Sequence, residues 1–301
     1  MGLAALALRM GGEVQAIVLG GAAPDSAEAR ARLAFWQAAT GGEAELEPGL
    51  ERALAEDIMA LFGKVAPDRL RARRGPMLVR AASRLRARQA PLAQGLRRAV
   101  GPEDCRVAGA EQVFAGFFAV ETVELSYRRF DGGMSAPVHR EVFIGCDAVS
   151  VLPYDPVRDR VLVIEQIRSA PLLRGEANPW QIEAVAGRID AGETPEGAGR
   201  REALEEAGLR IGGLEKVAEY YPSTAAFTEY LYSYVGLCDL PDGAGGIFGL
   251  AEESEDIRGH LLGLDDLAAR LEAGEIGNAP LIISLQWLLR HRGRLRAAAG
   301  I

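Results

Sequence analysis

The stretch GRIDAGETPEGAGRREALEEAGL, Gly187–Leu209, decides the reading of this chain. Its second half places Glu202, Glu205 and Glu206 within five residues, among Ala203, Leu204 and Ala207 and ahead of Gly208-Leu209. The pattern predicts a helix with Thr194 as N-cap, Pro195 at the first helical position and Gly208 as the stop. On a helix, residues three and four apart are neighbours, so Glu202 sits beside both Glu205 and Glu206. Like charges at that spacing destabilise a helix by about 0.2–0.5 kcal/mol per pair. A helix that only needed solubility would carry lysines there, so something else must neutralise this face.

The rest of the chain bounds the answer. With 301 residues, length suggests about two domains. A hydrophobic content of 49% suffices for a packed core. The net charge of −8 does not favour nucleic-acid binding, which needs a basic face. No apolar run approaches the ~18 residues of a membrane helix. No basic leader precedes the short apolar run at the N-terminus, so a secretory signal is not expected. Cys105, Cys146 and Cys238 are odd in number, lie far apart and lack zinc spacing. They fit a reducing cytoplasm.

No internal repeat is present. Residues 13–21, EVQAIVLGG, read as a strand, and SAEARARLAFWQAAT as a helix capped by Ser26. From Leu50 to Val100 the chain reads as helical and strongly basic. Aromatic residues do not interleave with these arginines, which favours a solvated helix face over a phosphate-binding surface. Near Gly109 the pattern changes to strands: FFAVETVELSYRRF, HREVFIGCDAVSVLPYD and DRVLVIEQI. Phe130–Met134, FDGGM, is a hairpin turn whose Asp131-Gly132 can take positive φ, and YDPVRD is another turn. More strands follow in KVAEYYPS and EYLYSYVGLCDL, and two helices close the chain. Strands interspersed with helices predict an α/β sheet covered on both faces.

Gly187, five residues, Glu193, seven residues, Arg201-Glu202, then Glu205-Glu206, Gly208 and Leu209 fill every position of the Nudix box. The chain is thereby identified as resembling the Nudix hydrolases, which implies an α-β-α sandwich with a mixed sheet, here over residues 109–301. Residues 1–108 precede it as a mostly helical extension. The box has a physical logic. Diphosphates repel a nucleophile by their charge, and Mg²⁺ takes carboxylate and phosphate oxygens together. Glu202 and Glu206 are the best ligands, Glu205 flanks them, and Ala186 can offer its carbonyl because the loop bends at Gly187. The resemblance further implies that Arg201 pairs with a box carboxylate and orients the helix, and that Glu193 is structural or lies just outside the metal ligands. Mn²⁺ is a possible substitute for Mg²⁺.

Beyond the box, the likeness runs over roughly residues 120–292 and is closest to the bacterial ADP-ribose pyrophosphatase branch. It is carried by YRRFDGGMS, DAVSVLPYDPVRDRVLVIEQIR, NPWQIEAVAGRID, GLAEESEDI and GEIGNAPLIISLQWLLRHR. That branch implies hydrolysis of ADP-ribose to AMP and ribose 5-phosphate by a cytoplasmic homodimer. It also implies a base outside the box, Glu253, with Glu255 as a further metal ligand. Arg140, reached across the dimer interface, Arg168, Glu229 and Ser223 match substrate positions. Two stretches depart from the branch. Ile144-Gly145-Cys146 replaces a glutamate-arginine-glycine, and Ser223-Thr224-Ala225 replaces a serine-proline-glycine. Both leave room for another nucleoside diphosphate sugar as substrate. A non-catalytic ADP-ribose sensor would be expected to lose a box glutamate, and none is lost. The first fifty residues resemble part of a gamma-glutamylcyclotransferase-like domain, but Gln37 stands where that family's acid would be and its glycine loop is missing. A scaffold role is therefore expected for them.

Overall fold

The computed structural model describes residues 10–41, 46–91, 95–250 and 254–301. The chain divides into two compact units, Met1–Cys146 with Ser223–Thr228, and Asp147–Pro222 with Glu229–Ile301.

The first unit opens with helices α1 (Gly12–Leu19), α2 (Ala27–Thr40), α3 (Pro48–Ala60), α4 (Pro67–Ala72) and α5 (Arg74–Gln89). The strand expected at residues 13–21 is α1. Its β-branched residues suggested a strand, but the buried pair Val14 and Val18 is spaced by four, one helical turn. Gly20 ends the helix in the left-handed conformation at φ 59°. Arg32 Nε donates to the Val18 carbonyl at 2.7 Å, satisfying an acceptor that the helix end leaves free. Ser26 caps α2 as expected, accepting from the Ala29 N–H at 3.0 Å. Within the basic run α5 ends at Gln89, and part of the run's charge links helices. Arg84 donates to Asp57 at 2.5 Å and to the Ala53 carbonyl at 2.9 Å, and Arg88 donates to Glu56 at 3.1 Å. The unit ends in strands β1 (Cys105–Ala115), β2 (Ala119–Tyr127) and β3 (Val138–Ile144), an antiparallel sheet in that order. In the β2–β3 turn only Gly132 takes a positive φ, 92°; Asp131 instead accepts from the Gly133 N–H at 3.1 Å.

The second unit holds β4 (Ala148–Asp155), β5 (Arg160–Ile167), α6 (Ser169–Arg174), β6 (Trp180–Glu183), β7 (Val185–Arg188) and α7 (Pro195–Ala207). It continues with β8 (Gly213–Tyr220), β9 (Leu231–Leu237), β10 (Gly246–Phe248), β11 (Ile257–Gly263), α8 (Leu264–Glu272) and α9 (Ala279–Ala298). Residues 139–155, expected as one strand, divide at Gly145–Asp147 into β3 and β4, which belong to different sheets. The second sheet runs β10-β11-β5-β4-β9-β8, with β6 on β5 and β7 on β4. It is mixed: β4 and β9 are parallel, and its other pairings are antiparallel. Alternation along β4 feeds two cores. Leu152 and Tyr154 pack with Leu264, Leu267, Leu281, Leu285 and Leu288 of α8 and α9, while Val149 and Val151 pack with Ala198 of α7. The result is the expected α-β-α sandwich. No helix among the described residues is long and apolar enough to cross a membrane.

Candidate active site

Helix α7 begins and ends as its sequence requires. Thr194 accepts from the Gly197 N–H at 3.1 Å. At the other end the Leu209 N–H bonds the Ala203 carbonyl at 2.9 Å and the Gly208 N–H bonds that of Leu204 at 3.0 Å, with Gly208 at φ 65°. The burial of this helix inverts the usual order. Leu204 is exposed, whereas Glu202 and Glu206 are buried, at 9% and 2% exposure. Close packing makes this possible. A Cβ on Gly199 would stand 2.9 Å from Val151 Cγ2, so the helix lies against β4 with no side chain between them. A Cβ on Gly187 would stand 1.9 Å from Glu202 Oε1. The box glycine is thus the space into which the Glu202 carboxylate fits.

Arg201 gathers the remaining box carboxylates. Its Nε and Nη2 donate to the two oxygens of Glu193 at 2.9 and 3.0 Å. Its Nη1 donates to Glu202 Oε1 at 2.8 Å and Glu205 Oε2 at 2.9 Å, and its Nη2 also donates to the Arg188 carbonyl at 3.0 Å. Glu193 is therefore a tether for Arg201, as the resemblance implied, and it also accepts from the Asp190 N–H at 3.1 Å. Glu206 Oε2 accepts from the Ala186 N–H at 2.9 Å.

The electrostatics match this crowding. Burial pushes Glu206 up to about 8, reinforced by Glu202 and Glu255 and opposed by the Ala186 N–H and Arg168. Burial likewise pushes Glu202 up to about 7 against the pull of Arg201, with Glu205 and Glu255 adding to the rise. Glu255 thus lies within electrostatic reach of both. Its carboxylate accepts from the Leu250 N–H at 3.2 Å, and its N–H donates to the Leu250 carbonyl at 3.2 Å. Glu253 falls outside the described residues.

Arg168, at the end of β5, donates through Nε and Nη2 to Glu183 Oε2 at 2.9 and 2.6 Å. Burial works to lower its affinity for a proton, but Glu183, Glu206 and Glu255 outweigh it and hold the guanidinium charged. Burial pushes Glu229 up to about 6 against the attraction of Arg168, so the two are within electrostatic reach of each other. Arg140 and Ser223 belong to the first unit. Arg140 donates to the His139 carbonyl at 2.8 Å, and Ser223 is exposed with its carbonyl accepting from the Phe227 N–H at 3.1 Å.

Glu183 is a residue that sequence reasoning missed. It is buried, and besides Arg168 it accepts from Asn278 Nδ2 at 3.0 Å, the residue that caps α9. The signal was a carboxylate inside the apolar strand run QIEAVAG, where a charge is retained only if paired.

Among the described residues no three His, Cys, Asp or Glu side chains already converge as a metal cage. Glu202 turns to Arg201, Glu206 to the Ala186 N–H and Glu255 to the Leu250 N–H. The donor set itself fits a hard divalent cation. Its side chains offer only oxygens, two of the carboxylates are buried, and their mutual repulsion falls when a cation arrives.

The likeness of this chain to known proteins extends well beyond the box. The sequence profile of the NUDIX domain matches residues 146–283. An ADP-ribose pyrophosphatase of Escherichia coli is 41% identical over 196 residues, 65% of this chain and 93% of that protein. A GDP-mannose pyrophosphatase of Cronobacter sakazakii is 30% identical over 172 residues, 57% of this chain and 88% of that one. The crystal structure of an ADP compounds hydrolase superposes with a TM-score of 0.51 at 20% identity, covering 66% of this chain and all of that one.

Proposed function

This chain belongs to the Nudix hydrolase family, and from that premise we propose that it hydrolyses the diphosphate of ADP-ribose to AMP and ribose 5-phosphate. The observation that carries the reading is the pair of buried carboxylates, Glu202 and Glu206, on α7 against the Ala186-Gly187 backbone. Identity to the E. coli ADP-ribose pyrophosphatase over nearly all of that relative's length supports the substrate.

In this reading Glu202, Glu205, Glu206 and Glu255, with the Ala186 carbonyl, hold a divalent cation, Mg²⁺ first and Mn²⁺ as its substitute. When bound, the cation neutralises phosphate charge and lowers the barrier to attack by water. Arg201 keeps the box carboxylates in place through its bonds to Glu193, Glu202 and Glu205. Glu253 takes the proton of the attacking water. The water oxygen joins one phosphorus, the bridging P–O bond breaks, and the departing phosphate keeps the bridging oxygen. Arg168, fixed by Glu183, presents positive charge to the diphosphate, and Glu229 meets the terminal ribose. Arg140 and Ser223 complete the substrate contacts, Arg140 from a partner subunit.

A homodimer follows from the same account. Phe114, Val120 and Phe143 are paired across β1, β2 and β3, with Phe114 60% and Phe143 54% exposed. An apolar row on a short exposed sheet is the kind of surface that subunits cover. Residues 1–108 act as a non-catalytic extension to the hydrolase domain at 109–301. Cys105, Cys146 and Cys238 form no disulfide with one another, which suits a cytoplasmic enzyme.

Ile144-Gly145-Cys146 and Ser223-Thr224-Ala225 support a second reading, another nucleoside diphosphate sugar. Measuring kcat/KM for ADP-ribose beside GDP-mannose and other sugar nucleotides decides between them. A preference for ADP-ribose supports the first reading; a preference of tenfold or more for another sugar nucleotide, about 1.4 kcal/mol in the transition state, replaces it.

A further inference from the structure

The acidic groups of the site come from two places: α7 carries Glu202, Glu205 and Glu206, and Glu255 lies between β10 and β11. Something must fix the distance between these groups. Phe248, the last residue of β10, is in the right position. Its ring occupies space left bare by glycines on two different elements. A Cβ on Gly208, the stop of α7, would stand 3.0 Å from Phe248 Cε1, and one on Gly259 of β11 would stand 3.2 Å from Cε2. The same ring packs against the buried cluster that includes Ala203 and Ala207 of α7 and Ile257 of β11. Phe248 also pairs directly with Ile257 in the β10–β11 ladder.

The two residues that follow Phe248 both touch Glu255. Gly249, at φ 104°, comes so close that a Cβ there would lie 2.8 Å from Glu255 Cβ and 3.0 Å from its carbonyl oxygen. Leu250 then exchanges two hydrogen bonds with Glu255, accepting from its N–H and donating to its carboxylate, each at 3.2 Å. Gly243, Gly245 and Gly246 all take positive φ just before the ring. The backbone leading up to Phe248 therefore takes a path that glycine alone adopts readily, and the ring is its fixed point against α7.

We propose that Phe248 is a positioning residue for the divalent-cation site. By locking the C-terminal end of α7 to the β10–β11 hairpin, it sets Glu255 at working distance from Glu202 and Glu206. The inference rests on the reading of these carboxylates as cation ligands. Glycine at 208 and 259 is part of the same device, because any side chain there would displace the ring.

The test is a Mg²⁺ titration of the metal-free full chain, followed by thermal melting and in parallel by hydrolysis of ADP-ribose. Phe248→Ala is compared with Phe248→Leu, which keeps most of the apolar volume, and with Ile211→Val, a trim of the same core cluster away from Glu255. Support for a cation site is worth about 10–100-fold in affinity. Phe248→Ala should therefore raise the Mg²⁺ midpoint at least about tenfold in both readouts, with turnover recovering at saturating Mg²⁺. Phe248→Leu should show a smaller shift in the same direction, and it serves as the test should the alanine variant not fold. Ile211→Val should lower the melting temperature without moving the Mg²⁺ midpoint. Phe248 variants whose midpoint moves no further than that of Ile211→Val overturn the proposal while the cation site stands. A wild-type chain that Mg²⁺ neither stabilises nor activates overturns both.

Discussion

Replacing Glu206 with Gln separates a cation seat from an acidic surface, because the two roles predict opposite signs. The shape is retained, and the amide oxygen can still accept from the Ala186 N–H that Glu206 Oε2 now accepts at 2.9 Å. What is lost is charge. With its carboxyl raised from 4.5 to about 8 by burial, the folded metal-free chain resists ionising a group that the unfolded chain ionises freely. A raised carboxylate contributes stability that is fully present below the unfolded value and is lost as pH rises through the folded one. For Glu206 that window runs from about 4.5 to 8. At pH 7.5 the three units above the unfolded value amount to about 4 kcal/mol at most. Coupling to Glu202 and relaxation of the site reduce this, and a gain of about 1–2 kcal/mol is expected for Glu206→Gln, or roughly 2–4 °C in melting temperature per kcal/mol. The gain should vanish near pH 4.5 and be largest at pH 8. Mg²⁺ should reverse the order. Bound at a hundred times its Kd, it stabilises the wild type by about 2.7 kcal/mol, and the variant should respond far less. Turnover should fall by more than the ~10–100-fold that losing a mere supporting partner costs a metal site. Melting curves with and without Mg²⁺ across pH, beside turnover at saturating Mg²⁺, provide the assay. A variant that turns over at the wild-type rate would refute the cation-seat reasoning, and one destabilised without metal at pH 8 would refute the electrostatic part.

Gly187→Ala puts a methyl where Glu202 Oε1 now lies, 1.9 Å from the new carbon. The carboxylate can swing aside, so the stability loss should stay within about 1–3 kcal/mol, while the Mg²⁺ midpoint rises; an unchanged midpoint would show that this orientation of Glu202 does not matter. Glu253→Gln should slow turnover about 10²–10⁴-fold and leave Mg²⁺-dependent stabilisation intact. Full activity in that variant would move the base to a neighbour such as Glu255 or Glu252. Light scattering should report a dimer, and Phe143→Glu, placed in the exposed apolar row, should weaken it. A wild-type monomer with full activity would contradict the dimer.

The parts of this molecule that depend on near neighbours in sequence could be read before any fold was known. Helix α7 is the clearest case. Thr194, Pro195 and Gly208 act within one turn of themselves, and their contacts are the ones the sequence calls for. The box carboxylates could be read because their spacing follows the helical period. The reading of α1 failed because Val14 and Val18 suit a strand by type and a helix by spacing, and packing decided in favour of spacing. Residues 139–155 looked continuous because nothing local shows that Gly145 separates two sheets. The roles of Glu183 and Phe248 depend on partners 95 and 40 positions distant respectively, Asn278 and Gly208. Such pairings are set by sheet order, which periodicity does not encode.

Every role assigned to the box carboxylates depends on this chain cleaving a nucleoside diphosphate sugar at its diphosphate with a divalent cation held by them. Incubating the full chain with ADP-ribose, with Mg²⁺ or with EDTA, and resolving the nucleotides by chromatography tests it most directly. AMP and ribose 5-phosphate should appear in equal amounts with Mg²⁺ and not at all with EDTA. ADP-ribose left intact in the presence of Mg²⁺, or cleaved equally well in EDTA, would contradict it.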